Sequence, residues 1–164
     1  MDADSILTLF SLFFGFSYVF FMLYGRNRNP LTYRYNELLT EDKRNKHFII
    51  ALSFSVLGAF RLDSLTLETY YFSPILFILS FYFFNTIIFS LYKRPILIEV
   101  GGTSPLVNKK ARFLDRFFGF LILCISLVTP LAMKYTKFDE INSHRKRIKM
   151  TATILEKQEK MCFC

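Results

Sequence analysis

The sequence predicts an all-α integral membrane protein with about four transmembrane helices in two hairpins and a basic C-terminal tail. Three observations carry that expectation: long apolar runs almost free of charge, tyrosines at their ends, and Lys/Arg gathered in the segments between them. Residues 6–24 read ILTLFSLFFGFSYVFFMLY, residues 70–92 read YYFSPILFILSFYFFNTIIFSLY, and residues 117–133 read FFGFLILCISLVTPLAM. A helix needs about twenty predominantly apolar residues to cross roughly 30 Å of hydrocarbon. The chain contains 21 Phe and no Trp, so tyrosine must supply the interfacial belt. Tyr24, Tyr70, Tyr71, Tyr92 and Tyr135 flank the runs, where a ring rests in lipid and a hydroxyl reaches water.

The first span is expected over residues 6–24. Asp2 and Asp4 precede it, while Arg26, Arg28 and Arg34 follow. Lys and Arg resist translocation, so this asymmetry places the N-terminus outside and residues 25–47 in the cytoplasm. The acidic start and the lack of a small-residue cleavage site describe a retained anchor rather than a signal peptide. Within the loop, TYRYNELLTEDKRNKH forms either a solvated linker or a short helix at the headgroups. In the helical reading Tyr33, Tyr35, Leu38 and Leu39 face lipid.

The second span is the shortest. Residues 48–60, FIIALSFSVLGAF, reach only about 20 Å as a helix. Extension to residue 67 supplies the missing length and takes in Arg61 and Asp63. Charges near a helix end cost far less than at mid-membrane, because Arg can snorkel. Residues 48–67 are therefore expected to span, with a re-entrant segment as the alternative.

The third span is expected over residues 74–92, with Ser73 as N-cap and Pro74 in the first helical position, where its missing N–H costs nothing. Residues 93–116 form a second basic loop that belongs on the cytoplasmic side with the first. Within it, PILIEV is extended in character, GGTSP signals a turn, and an amphipathic helix from Pro105 would set Leu106, Val107, Phe113 and Leu114 on its apolar side. The fourth span covers residues 117–133, with Pro130 expected to kink or end it. Residues 1–133 thus form one membrane domain, and residues 134–164 a basic, partly disordered tail. Two parallel hairpins would also explain a faint echo between FMLYGRNRNPL and FSLYKRPIL, which convergence of apolar sequence explains equally well.

Polar residues within the spans are few. Asn85 is the most polar residue deep in a run, and an unpaired amide in hydrocarbon is costly, so it should face another helix and hydrogen-bond across to it. Gly15, Gly58 and Gly119 mark close approaches between helices. Arg61 and Asp63 are the sole ionisable candidates for a pathway, and an interfacial helix end explains them more simply. Arg26, Arg28, Lys109, Lys110 and Arg112 are expected to face headgroups. With a net charge of +8 spread over loops and tail, anionic lipid is the expected partner and nucleic acid is not. His144 follows Glu140 by one helical turn, and Cys162-Phe163-Cys164 ends the chain; neither forms a strong metal motif, and no cofactor is expected.

These features point to a non-catalytic multi-pass protein of the cell membrane. It is expected to act by association, as a small subunit or an accessory or immunity-type protein of a membrane complex. Its partner would be another membrane protein or further copies of itself. A small homo-oligomeric transporter or channel using Asn85, Ser80, Arg61 and Asp63 is the second expectation. An enzyme acting on lipid headgroups through Glu99 and Asp115 is the third.

Overall fold

A computed structural model of the protein describes residues 3–24, 32–60, 68–98, 113–133 and 135. Four α-helices occur among them: α1 (Ala3–Met22), α2 (Glu41–Phe60), α3 (Ser73–Tyr92) and α4 (Phe113–Met133). Two 3₁₀ helices, Arg34–Leu39 and Glu68–Phe72, precede α2 and α3, and no strand occurs among the described residues.

Among the described residues three stretches are long and apolar enough to cross a membrane: Ser5–Met22, Glu68–Tyr92 and Phe113–Met133. They coincide with three of the four expected spans, and helix α2 is not among them. It begins seven residues before the expected start, and those residues are Glu41, Asp42, Lys43, Arg44, Asn45, Lys46 and His47. The early start has a local cause. Thr40 carbonyl accepts the Arg44 N–H at 2.9 Å, and Glu41 and Asp42 place negative charge against the positive end of the helix dipole. The apolar residues 48–60 therefore form the second part of an amphiphilic helix rather than a helix of their own. The extension to residue 67, with Arg61 and Asp63, lies outside the described residues.

Helix α2 runs antiparallel to α1. Tyr18 meets His47 near one end of the pair, and the Phe14 and Phe54 rings lie 3.8 Å apart further along. Tyr71 stacks on Phe54 and tilts against Phe10 and Phe14, so the second 3₁₀ helix closes over both helices. This contact requires small residues. A Cβ on Gly15 would sit 2.8 Å from the Tyr70 carbonyl oxygen, and one on Gly58 would sit 3.0 Å from Tyr71 Cβ. Gly15 and Gly58 both lie where the second 3₁₀ helix crosses close over α1 and α2.

Helices α3 and α4 pack through Phe84 and Phe118, whose rings stack at 4.8 Å. Phe72, and not the expected Ser73, holds the N-cap position of α3; Ser73 Oγ instead donates to the Ser126 carbonyl of α4 at 2.8 Å. Pro74 sits in the first turn as anticipated. Helix α4 is helical from the first residue described after 98, Phe113, and stays helical past Pro130 to Met133. The buried core runs through all four helices and includes Val19, Met22, Ala51, Phe77, Phe81, Ile88 and Ile122. Tyr33, Tyr35 and Leu38 join this core and do not face lipid; of the four residues expected at the headgroups, Leu39 alone is exposed.

Hydroxyls inside the helices bond to their own preceding turn. Ser55 donates to Ala51 carbonyl, Ser80 to Leu76, Thr86 to Tyr82 and Ser126 to Ile122, at 2.6–2.9 Å. In an apolar bundle this satisfies the hydroxyl without a second helix.

Candidate functional site

Beyond α3 the chain reverses through Lys93, which adopts a left-handed conformation (φ 53°) and donates its N–H to the Phe89 carbonyl at 2.9 Å. Residues 95–98 then run extended back into the bundle, and Ile96, Leu97 and Ile98 are all buried. An extended segment without a neighbouring strand leaves its amides without ladder partners, and a buried unpaired N–H costs about 1–3 kcal/mol. Each of these amides finds a side chain from a different element. Ile96 N–H donates to Asn85 Oδ1 of α3 at 3.0 Å, and Leu97 N–H donates to Asp115 Oδ1 of α4 at 3.2 Å. Ile98 N–H donates to the Tyr35 hydroxyl of the first 3₁₀ helix at 3.2 Å. Pro95 has no N–H to satisfy.

Asp115 is the hub of this polar clasp. Its side chain is fully buried, and its Oδ2 lies 2.6 Å from Arg94 Nη2 while Oδ1 accepts from Nη1 at 3.3 Å. Paired N–H donors on a carboxylate give the strong fork geometry. Arg94 keeps 28% of its side chain exposed and stands 5.5 Å over the Tyr92 ring, so the pair is dry on one side and wet on the other. Burial pushes the Tyr35 hydroxyl above the usual tyrosine range, and the nearby Tyr33 and Asp115 add to that rise, against a lowering by the Ile98 bond. Tyr35 is thus a neutral donor and acceptor at physiological pH.

A second polar group lies beside the clasp. The Tyr18 hydroxyl is 3.5 Å from His47 Nδ1, and His47 Nε2 is 3.7 Å from Glu37 Oε2, which also pairs with Lys43 at 4.0 Å. Arg44 bonds the Tyr82 hydroxyl, joining α2 to α3. These contacts fasten the first 3₁₀ helix and the start of α2 onto α1 and α3.

Among the residues singled out by sequence, Asn85 was expected to bond to another helix; it accepts instead from the backbone of the extended segment that follows its own helix. Gly119 lies against the clasp, where an added Cβ would sit 3.3 Å from Ile98 Cγ2. Asp115, anticipated as a headgroup catalyst, has both oxygens engaged internally. Arg26, Arg28, Arg61, Asp63, Lys109, Lys110 and Arg112 lie outside the described residues, as do Glu99, Glu140, His144, Cys162 and Cys164. Tyr35 and Arg94 carry weight that composition did not reveal. Arg94 was legible as the charge ending an apolar run, and Asp115 as the acid just before the next, but nothing in their spacing paired them. No group of three metal-ligating side chains occurs among the described residues.

Among the described residues the protein is all-helical, with three helices long and apolar enough to cross a membrane, held at one end by a buried polar network. No family model, curated protein or solved structure matches this chain.

Proposed function

We propose that this is a non-catalytic multi-pass protein of the cell membrane that acts by association, as a small subunit or accessory protein of a membrane complex. The observation that carries the reading is the use of its strongest buried polar groups. Asn85, Asp115, Arg94 and Tyr35 hold the protein's own chain, while Phe13, Phe20, Phe83, Phe113 and Phe120 present apolar surface outward. A solute path would need polar groups facing a cavity. Lipid and helix contacts need apolar faces.

In this reading the fourth crossing is residues 48–67, of which the apolar part of α2, residues 48–60, supplies about 20 Å. The N-terminus is outside, and both basic loops are cytoplasmic. The bond from Ile98 to Tyr35 supports a common side, because it ties the flank of one loop to the flank of the other. Labelling of single cysteines introduced at Thr40 and at Lys110 by a membrane-impermeant reagent tests this: both should react only after the membrane is opened. The association itself is tested by the native mass of the complex extracted in mild detergent. A second protein in fixed ratio supports the reading. A pure homo-oligomer weakens the subunit reading and favours the channel or transporter, for which solute flux in Asn85→Leu is the next measurement.

A further inference from the structure

Helix α1 carries an open apolar groove lined by Phe13, Phe16, Ser17, Phe20, Phe21 and Tyr24. Phe13, Phe20, Phe21 and Tyr24 are exposed, at 68%, 60%, 43% and 72%. From Tyr24 to Phe13 the helix descends about 16 Å, which is half the hydrocarbon thickness of a bilayer, or one leaflet. At its mouth stands Arg34. The Arg34 N–H donates to the Tyr24 carbonyl at 3.2 Å, which fixes the first 3₁₀ helix against the end of α1. The guanidinium lies 4.2 Å over the Phe21 ring.

That stacking decides what the arginine can bind. A guanidinium laid on an aromatic face keeps its N–H donors in its own plane, pointing away from the ring, and these match two oxygens of a phosphate. Glu37 is the one acid in the same 3₁₀ helix, and it is engaged by Lys43 and His47.

We propose that this groove is a binding site for one anionic phospholipid, with an acyl chain along Phe13, Phe16 and Phe20 and the headgroup phosphate on Arg34. The cation at the headgroup end and the one-leaflet depth together select this occupant over a second protein helix, which would need no charge there. The inference rests on α1 crossing the membrane, and goes beyond the proposed association by naming a lipid and its seat.

The test uses the full chain in nanodiscs of phosphatidylcholine doped with a diazirine-bearing phosphatidylglycerol or with the matched phosphatidylcholine probe. Cross-linked residues are read by mass spectrometry. Labelling at Phe13, Phe16 and Phe20 should be about fivefold greater with the anionic probe, the effect of one cation near the surface. Arg34→Gln should bring it down to the phosphatidylcholine level, Arg34→Lys should retain only part of it, since an ammonium keeps the charge and loses the stacked fork, and Ser17→Trp should block it by filling the groove. Retained helicity and elution volume certify that each variant is folded. Equal labelling by the two probes, or labelling indifferent to Arg34→Gln, overturns the proposal while leaving the membrane reading intact. Cross-links from the groove to a second copy or another protein in place of lipid overturn it as well. Absence of lipid labelling on every helix would overturn both.

Discussion

Replacing Asp115 by alanine removes the acceptor of three bonds at once: two from Arg94 and one from Leu97 N–H. Breaking one side of a buried ion pair costs about 3–5 kcal/mol, because the remaining charge is stranded. Arg94 keeps 28% of its side chain exposed and recovers some hydration, which favours the lower end of that range. The Leu97 amide recovers none, and an orphaned buried N–H adds about 1–3 kcal/mol. The two effects share one carboxylate and do not sum in full, so about 4 kcal/mol is expected, nearly three decades in the unfolding constant. Asp115→Asn keeps an acceptor for Leu97 and loses the charge, and should cost about half as much. The decisive variant combines Arg94→Met with Asp115→Leu, which leaves no stranded charge and only one orphaned amide. It should be more stable than Asp115→Ala alone. The assay is reversible unfolding in mixed micelles followed by helical circular dichroism. A loss below about 0.5 kcal/mol in Asp115→Ala, or a double variant as unstable as the sum of its parts, would refute the clasp as an energetic unit.

Three further outcomes follow from the same geometry. Gly15→Ala should destabilise by about 1–3 kcal/mol, because the new methyl meets the Tyr70 backbone, which cannot rotate away; Gly119→Ala, facing a movable Ile98 side chain, should cost less, and thermal unfolding in detergent ranks them. Asn85→Leu should lower stability by about 1–3 kcal/mol through the orphaned Ile96 amide, and a variant as stable as the parent would place that amide elsewhere. Tyr35→Phe should flatten the alkaline limb of the stability profile. With the folded hydroxyl raised above its ordinary value of 10.0, the unfolded chain releases its proton first as pH rises, so stability is full below pH 10 and falls above it. The difference in slope between parent and variant should be about 1.4 kcal/mol per pH unit, the signature of one proton.

The apolar runs announced α1, α3 and α4 because hydrophobicity over twenty residues is a local property. The same pattern misplaces the start of α2. Hydrophobicity alone begins that helix at residue 48, whereas its first turn carries Glu41 and Asp42, charges that favour a helix start and carry no hydrophobicity. Tyr33, Tyr35 and Leu38 show the complementary limit. A tyrosine beside a basic loop looks interfacial in sequence, and only the fold, by bringing residue 98 back to residue 35, turns it into core. The extended character of residues 95–98 was legible from Pro and β-branched side chains, and the need of Asn85 for a partner from its setting. Their bond was not, since it joins a side chain to a backbone amide eleven residues on and depends on the reversal at Lys93.

The clasp also imposes an order on biogenesis. Residues 95–98 leave the ribosome before residue 115, so when α3 is complete the Leu97 amide has no acceptor and Arg94 no counter-charge. Asn85 and Tyr35 are already made and can hold the two flanking amides. The centre of the segment must stay hydrated until α4 arrives, and dehydration of this corner is the step by which α4 locks onto α1, α2 and α3.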